Sequence, residues 1–105
     1  MKMIRAIVRP EKEYAVIKGL ENAGFSSVTK MDVLGRGKQK GIQVGSAVYD
    51  ELAKTLVMVV VEDAACDKAV AAITESAKTG NFGDGKIFIS AVESALTIRT
   101  GKTGL

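Results

Sequence analysis

The chain contains no histidine and no tryptophan, and its 105 residues include a single cysteine, Cys66. The absence of histidine excludes the commonest general base and the usual zinc sites. A single cysteine excludes an internal disulfide and a thiolate metal cluster. No apolar run approaches the length that spans a bilayer, and the first residues alternate like a strand instead of forming a signal peptide. We therefore expect a cytoplasmic protein without membrane insertion.

Aromatic residues are also scarce, at 5% of the chain. The predicted strands lack the paired aromatic side chains on which an RNA-binding sheet stacks bases. The formal net charge of +3 is mild and suits an anionic small molecule as well as it suits nucleic acid. Hydrophobic residues at 47% and charged residues at 26% are typical of a folded protein. We expect one domain over 1–105 and no nucleic acid partner.

The first third of the chain predicts a strand, a helix and a second strand. Alternating apolar residues predict the strands over 3–8 and 28–34. Pro10 and the acids after it mark the start of a helix over 11–23, which Gly24 ends. The apolar face of this helix is predicted from residues at helical spacing: Tyr14, Ile17, Leu20 and Ala23.

The second half repeats this order. Leu56–Val61 is an unbroken apolar run, which predicts a strand over 54–61 with both faces covered, one of them by a partner subunit. A second helix begins with Asp63 as its N-cap and ends at Lys78 and Gly80. Residues 87–92 form a strand. The buried face of the second helix is predicted from five residues: Cys66, Ala69, Val70, Ile73 and Ala77.

Two further segments complete the predicted fold. Residues 37–52 have neither helical nor strand periodicity, which predicts one long exposed loop of the kind that is usually functional. Residues 95–99 predict a short additional strand. Two βαβ halves in this order indicate an α+β, ferredoxin-like fold with both helices on one face of an antiparallel sheet. The other face would remain bare and favour oligomerisation.

Glycines and cations are interleaved in three stretches, at 35–41, 79–86 and 99–104. Glycine lets the backbone approach a ligand closely and adopt positive φ, and free backbone N–H groups in such turns bind anions. The lysines and arginines add positive charge. Together the three stretches predict a polyphosphate site assembled from several loops, whereas each taken singly is typical of an ordinary surface turn.

The order and spacing of these stretches resemble the PII family of nitrogen-regulatory signalling proteins over nearly the whole chain. The resemblance rests on Gly-Arg-Gly-Lys-Gln-Lys-Gly at 35–41, Thr-Gly-Asn-Phe-Gly-Asp-Gly-Lys-Ile-Phe at 79–88 and Ile-Arg-Thr-Gly at 98–101. It implies a homotrimer that binds ATP or ADP in three clefts between subunits.

The resemblance also implies which residues bind ligands. The nucleotide-binding set is Thr29, Gly35, Gly37, Lys38, Gln39, Gly83, Asp84, Gly85, Lys86 and Arg99. The set for 2-oxoglutarate is Gln39, Lys40, Gly41 and Lys54. Gln39 is also implied as a ligand of the Mg²⁺ that holds 2-oxoglutarate, a role that suits the hard oxygen of an amide. No catalytic residue is implied.

Several positions depart from the family pattern. Thr97 stands where the family usually has an arginine. Lys38 replaces another arginine, which keeps the charge and loses the bidentate geometry. Met58 stands where many members have a glutamate that reads the adenine. The 37–52 segment is shorter than usual. Tyr49 stands in a different local sequence from the tyrosine that enteric members modify, so the resemblance does not assign that modification to it.

The short segment and the glycine-cation stretches resemble the nitrogenase-associated branch of the family. That resemblance implies a non-enzymatic signalling protein that works with a second PII-type subunit and inhibits the dinitrogenase component, with relief by 2-oxoglutarate and MgATP. The alternative within the family is a regulator of an ammonium transporter or of glutamine synthetase. A small phosphatase on the same frame is a further alternative, although histidine and an activated cysteine are missing.

Overall fold

The computed structural model describes residues 1–36, 42–44, 47–49 and 51–105. Its strands and α-helices in chain order are β1 Lys2–Val8, α1 Glu13–Asn22, β2 Thr29–Gly35, β3 Ile42–Val44, β4 Ala47–Tyr49, β5 Leu52–Val61, α2 Cys66–Ala77 and β6 Lys86–Ala91. A single 3-10 turn precedes each helix, at Pro10–Lys12 and Asp63–Ala65.

Four of the strands form one antiparallel sheet in the order β2-β5-β1-β6. In the centre, Lys2 of β1 lies opposite Val61 of β5 and Ala91 of β6. At one edge, Thr29 of β2 lies opposite Met58 of β5. Each βαβ half thus contributes one central and one edge strand, which confirms the predicted ferredoxin-like arrangement.

Both helices pack on one face of this sheet, and the core lies between them. Alternate residues of the two central strands point into it, because side chains along a strand alternate between faces. The buried apolar side chains are Ile4, Ala6, Val8, Val16, Leu20, Val57, Val59, Val61, Cys66, Ala69, Ile73 and Ala77. The predicted inner face of α2 is confirmed, and Cys66 is a core residue.

The inner face of α1 differs in part from its prediction. Val16 and Leu20 are fully buried, whereas Tyr14 is 79% exposed. Val16 and Leu20 lie one helical turn apart and define the face that meets the sheet. Tyr14 is two positions before Val16, about 200° around the helix, and therefore points to solvent.

The predicted cap at the C-terminus of α1 is confirmed, whereas the predicted cap at the N-terminus of α2 is not. At the end of α1, Gly24 has φ +99° and its N–H donates to Glu21 O at 3.0 Å, while Phe25 N donates to Leu20 O at 2.8 Å. These two bonds form the glycine-dependent Schellman cap that the sequence predicts. The predicted N-cap at Asp63 is wrong, since its carboxylate pairs with the Met1 amine at 3.0 Å and α2 begins after an intervening 3-10 turn.

The segment between β2 and β5, predicted as an irregular loop over 37–52, contains a small hairpin. Strands β3 and β4 pair antiparallel, with Ile42 opposite Tyr49. Strand β5 also begins earlier than expected, at Leu52. Residues 95–99 form less structure than predicted, since the described bridge there is the single pair Leu96 and Thr103.

The face of the sheet away from the helices is apolar and only partly covered. Leu56, Met58 and Val60 alternate with the buried residues of β5 and are half-buried. Met31 on β2 is 48% exposed and Phe88 on β6 is 49% exposed. One chain therefore covers only one face of β5, and the predicted cover of the other face by a partner subunit stays a prediction.

Candidate functional site

One end of the sheet brings together several of the glycines and cations that the sequence predicts for the site. Strand β2 ends there at Gly35, opposite Leu52 at the start of β5. Strand β6 begins there at Lys86, opposite Ile7 near the end of β1. Because neighbouring strands run antiparallel, the last residues of β1 and β2 and the first residues of β5 and β6 meet at this end of the sheet. The loop 79–85, which joins α2 to β6, lies over it.

The loop 79–85 is organised around the carboxylate of Asp84. One oxygen, Oδ2, accepts bonds from the backbone N–H groups of Thr79 and Gly80, both at 2.8 Å. The other, Oδ1, accepts from the Thr79 hydroxyl and from Arg9 Nε, the latter at 3.2 Å. Bonds to the ionised form favour it, so these donors hold the pKa of Asp84 well below its ordinary value of 3.8. The carboxylate therefore stays charged at neutral pH.

Arg9 is the residue of this site that the sequence reasoning does not identify. Its Nη2 donates to the carbonyl oxygen of Phe82 at 2.6 Å, in addition to the bond from Nε to Asp84. The sequence presents Arg9 only as part of the break before Pro10. Its separation from Asp84 by 75 residues gives no local signal that the two meet.

Lys54 connects the start of β5 to the same loop. Its ammonium group donates to the carbonyl oxygen of Gly83 at 2.6 Å. A side chain built on Gly35 would lie 3.5 Å from Lys54 Cγ, so Gly35 borders the lysine stem. Gly35, Lys54 and Gly83, which are distant from one another in the sequence, are therefore neighbours in the fold.

Gly85 is held against the backbone of β1. Its φ is +107°, and a Cβ at this position would lie 1.7 Å from the carbonyl oxygen of Ile7. Only glycine fits this combination of close approach and positive φ. The loop is thereby fixed onto the strand that leads into Arg9.

The end of the sheet is cationic and partly hydrogen-bonded within the chain. Arg9, Lys54 and Lys86 supply three positive charges, and Asp84 offsets one of them. Such a combination of cations with a tight, glycine-rich backbone can hold an anion such as a phosphate or carboxylate.

Two of the predicted site residues lie away from this end. Thr29 is at the other end of β2, opposite Met58. Arg99 lies in the turn after β6, where Thr97 N donates to Lys102 O at 2.9 Å. Strand β6 runs away from Lys86 and ends at Ala91 beside Lys2, so the chain leaves the sheet at its opposite end. Among the described residues of one chain, no hydrogen bond joins Arg99 to Lys86.

Five predicted residues, Gly37, Lys38, Gln39, Lys40 and Gly41, lie outside the described residues. The metal prediction at Gln39 falls among them. Over 1–36 and 51–105, the structure contains no group of three acidic or thiol side chains that could hold a metal ion.

The fold and this end of the sheet define a ferredoxin-like domain with glycine-rich, cationic loops suited to anions. The family model described as "Nitrogen regulatory protein P-II" matches residues 1–102. The chain belongs to this P-II family of nitrogen regulatory proteins, as its sequence motifs predict.

Several relatives are similar to this chain over all or nearly all of their length. A protein of Methanosarcina barkeri named "Nitrogen fixation nifHD1 region GlnB-like protein 1" is 58% identical over 105 residues, covering all of both chains. A similarly named nifHD-region protein of Methanothermobacter marburgensis is 56% identical, again over all of both chains. "Nitrogen regulatory protein P-II 2" of Methanothermobacter thermautotrophicus is 46% identical, over 99% of this chain and 94% of its own.

Neither described helix is long and apolar enough to cross a membrane.

Proposed function

We propose that this chain is a non-enzymatic nitrogen sensor, folded as one domain over 1–105, that binds ATP or ADP together with 2-oxoglutarate and regulates nitrogen fixation. The observation that carries the proposal is the meeting of Gly35, Lys54 and Gly83 at the cationic end of the sheet. Membership of the P-II family supports the ligand classes. The nif-region names of the relatives support the process.

The nucleotide phosphates are proposed to bind the glycine-rich backbone and its cations. The proposed contacts within one chain are Gly35, Gly37, Lys38, Gln39, Gly83, Gly85 and Lys86. Asp84, also predicted for this site, lies between Gly83 and Gly85 in the same loop. Gly83 and Gly85 have positive φ, which curves the loop so that its backbone can face a ligand. Lys86 is exposed at the start of β6 and adds positive charge.

Thr29 and Arg99 are proposed to complete the nucleotide site from elsewhere in the assembly. Both lie away from the loop 79–85 within one chain, so a cleft between two subunits of a homotrimer is the arrangement that would unite them with Lys86. The apolar outer face of the sheet offers the surface for such an assembly, since Leu56 and its neighbours are only half-buried.

The carboxylates of 2-oxoglutarate are proposed to bind Lys54, with Gln39, Lys40 and Gly41 completing the site. Gln39 is proposed to ligate an Mg²⁺ ion shared by the nucleotide and 2-oxoglutarate, which would couple the two ligands. Lys54 already bonds the Gly83 carbonyl, so it lies where a carboxylate would also approach the nucleotide loop. Coupling of this kind is reciprocal, so MgATP must raise the affinity for 2-oxoglutarate by the same factor as the reverse.

Calorimetric titration of 2-oxoglutarate, with and without MgATP, tests the proposal. We expect binding only when MgATP is present. Gln39→Ala is expected to abolish 2-oxoglutarate binding and to retain part of the ATP binding, whereas Gln43→Ala, which removes the same amide four residues further along, retains both. Binding of ATP without any response to 2-oxoglutarate would leave an adenine-nucleotide sensor and assign Lys54 to structure. Binding of neither ligand would contradict the proposed site.

The proposed target is the dinitrogenase component, which the chain would bind and inhibit, alone or with a second PII-type subunit. Capture of purified dinitrogenase by the tagged protein, with release by 2-oxoglutarate and MgATP together, is the expected result. The second candidate, an ammonium transporter or glutamine synthetase, is favoured by the 46% identity to a relative named simply as a nitrogen regulatory protein. Capture of either one, with no binding of dinitrogenase, would select that alternative.

A further inference from the structure

The carboxylate of Asp84 is fully engaged by its own chain. Both oxygens accept two bonds each, from Thr79 N and Gly80 N on one side and from the Thr79 hydroxyl and Arg9 Nε on the other. A carboxylate also repels phosphate at short range unless a cation lies between them. Both facts argue against a direct contact between Asp84 and a nucleotide.

We infer that Asp84 is a positioning residue, which holds the loop 79–85 and Arg9 in the geometry that the proposed nucleotide site requires. The inference rests on the proposed function and refines the role of one residue in it. Asp84 acts through its hydrogen-bond partners and does not touch the ligand.

The first step is the shape of the loop. Gly80, Gly83 and Gly85 all have positive φ, and glycine-rich segments sample many conformations when unconstrained. The carboxylate ties the beginning of the loop, at Thr79 and Gly80, to its end at residue 84. This closed turn leaves the loop one main conformation, with Gly85 seated against Ile7. A preorganised loop loses less conformational entropy when a ligand binds.

The second step is the placement of charge. The bond from Arg9 Nε to Asp84 fixes the guanidinium, whose Nη2 then holds the Phe82 carbonyl at 2.6 Å. The ammonium of Lys54 holds the next carbonyl, that of Gly83, also at 2.6 Å. Two cations are thereby held against consecutive carbonyl groups of the loop. Loss of the Asp84 charge would release Arg9 and leave Lys54 as the remaining clamp.

The variant Asp84→Asn tests this role, because it keeps the size of the side chain and removes its charge and half of its acceptor capacity. Calorimetry should show that ATP binds the variant roughly tenfold more weakly than wild type, which is the scale of a lost charge-assisted bond. The same loss is expected with Mg²⁺ and with a chelator present. Glu93→Gln removes the same charge from an exposed site after β6 and is expected to bind ATP like wild type.

Thr79→Val provides a milder change if Asp84→Asn folds poorly. It removes the hydroxyl donor and keeps the backbone donor, so a smaller loss of ATP affinity is expected. Amide hydrogen exchange at Gly80 should be faster in both variants and unchanged in Glu93→Gln.

Each remaining outcome decides against the inference in a different way. A loss confined to the Mg²⁺ condition would make Asp84 a metal ligand. Unchanged or tighter ATP binding, measured well below the unfolding temperature, would reduce its role to stability alone. If wild type binds no ATP while Gly80 is protected only in wild type, the proposed function fails and the loop geometry stands as structure.

Discussion

Gly85 shows how much one residue of the site depends on a contact remote in sequence. Its position would place a Cβ 1.7 Å from the Ile7 carbonyl oxygen and 2.8 Å from the carbonyl carbon. Backbone atoms in a sheet cannot yield as the end of a flexible side chain can. Gly80, in the same loop, also has positive φ, yet nothing lies within 4 Å of its missing Cβ. The two glycines therefore separate the cost of backbone strain from that of a steric clash.

Gly85→Ala is expected to destabilise the protein by at least about 3 kcal/mol, because strain at positive φ adds to displacement of β1. Gly80→Ala should cost only about 1 kcal/mol, since conformational strain acts alone there. Urea denaturation at one fixed protein concentration measures both. Equal losses for the two variants would show that the Ile7 contact relaxes without cost.

At the scale of elements, the two helices meet through a glycine. A Cβ on Gly19 of α1 would lie 2.2 Å from Ser76 Oγ of α2, and the Ser76 hydroxyl donates to Ala72 O at 2.8 Å. The glycine lets the helices approach closely, although glycine inside a helix is itself less favourable than alanine by about 1 kcal/mol. The serine hydroxyl is the atom that a larger residue at position 19 would meet first.

A double-mutant cycle on this pair is expected to show coupling of about 1 kcal/mol, since the two side chains share one space. In Gly19→Ala alone, the clash with the Ser76 hydroxyl should cancel the stability gained from the higher helix propensity of alanine. Adding Ser76→Ala should recover it, so the double variant should be more stable than Gly19→Ala. Thermal and urea unfolding of the four proteins measure the cycle, and additive effects would contradict the close contact.

The apolar run in β5 predicts more burial than one chain provides. Thr55, Val57 and Val59 are buried beneath the helices, whereas Leu56 and Met58 between them are half-buried on the other face. The order of residues along the strand reveals that both faces of β5 are apolar. It does not reveal whether the cover comes from the same chain or from another.

At the scale of the whole molecule, the outer face of the sheet is the feature that links fold to assembly. Leu56 lies at its centre, opposite Ile7 of β1 on one side and Met31 of β2 on the other. An exposed apolar sheet face is typical of an interaction surface. The proposed trimer would cover it and would bring Arg99 of one subunit toward the loop of another.

Leu56→Glu is therefore expected to weaken assembly strongly, because it would place a charge in an apolar contact. Tyr14→Glu is the matched control, since Tyr14 is 79% exposed on α1, outside the sheet face. Analytical ultracentrifugation should give a smaller species for Leu56→Glu and the wild-type mass for Tyr14→Glu. An unchanged mass for Leu56→Glu would show that this face does not mediate assembly.

Local patterns in the chain carry most of the fold. The alternation in β1, the helical spacing of Ala69 and Ile73 and the cap at Gly24 each depend on neighbours within a few residues, and the structure confirms them. The N-cap prediction at Asp63 failed because it too relied on neighbouring residues alone. A residue suited to an N-cap instead pairs with the Met1 amine, a partner 62 positions away that no local pattern shows.

The family, the order of strands and helices and most glycines and cations of the candidate site could be predicted from the sequence, because each is encoded by residue type and short spacing. The folded structure was needed to show that Arg9 and Lys54 bond consecutive carbonyl groups of the loop and that Arg9 pairs with the charge of Asp84. These contacts join residues separated by 29 to 75 positions. Their geometry depends on the antiparallel register that brings the ends of four strands to one edge.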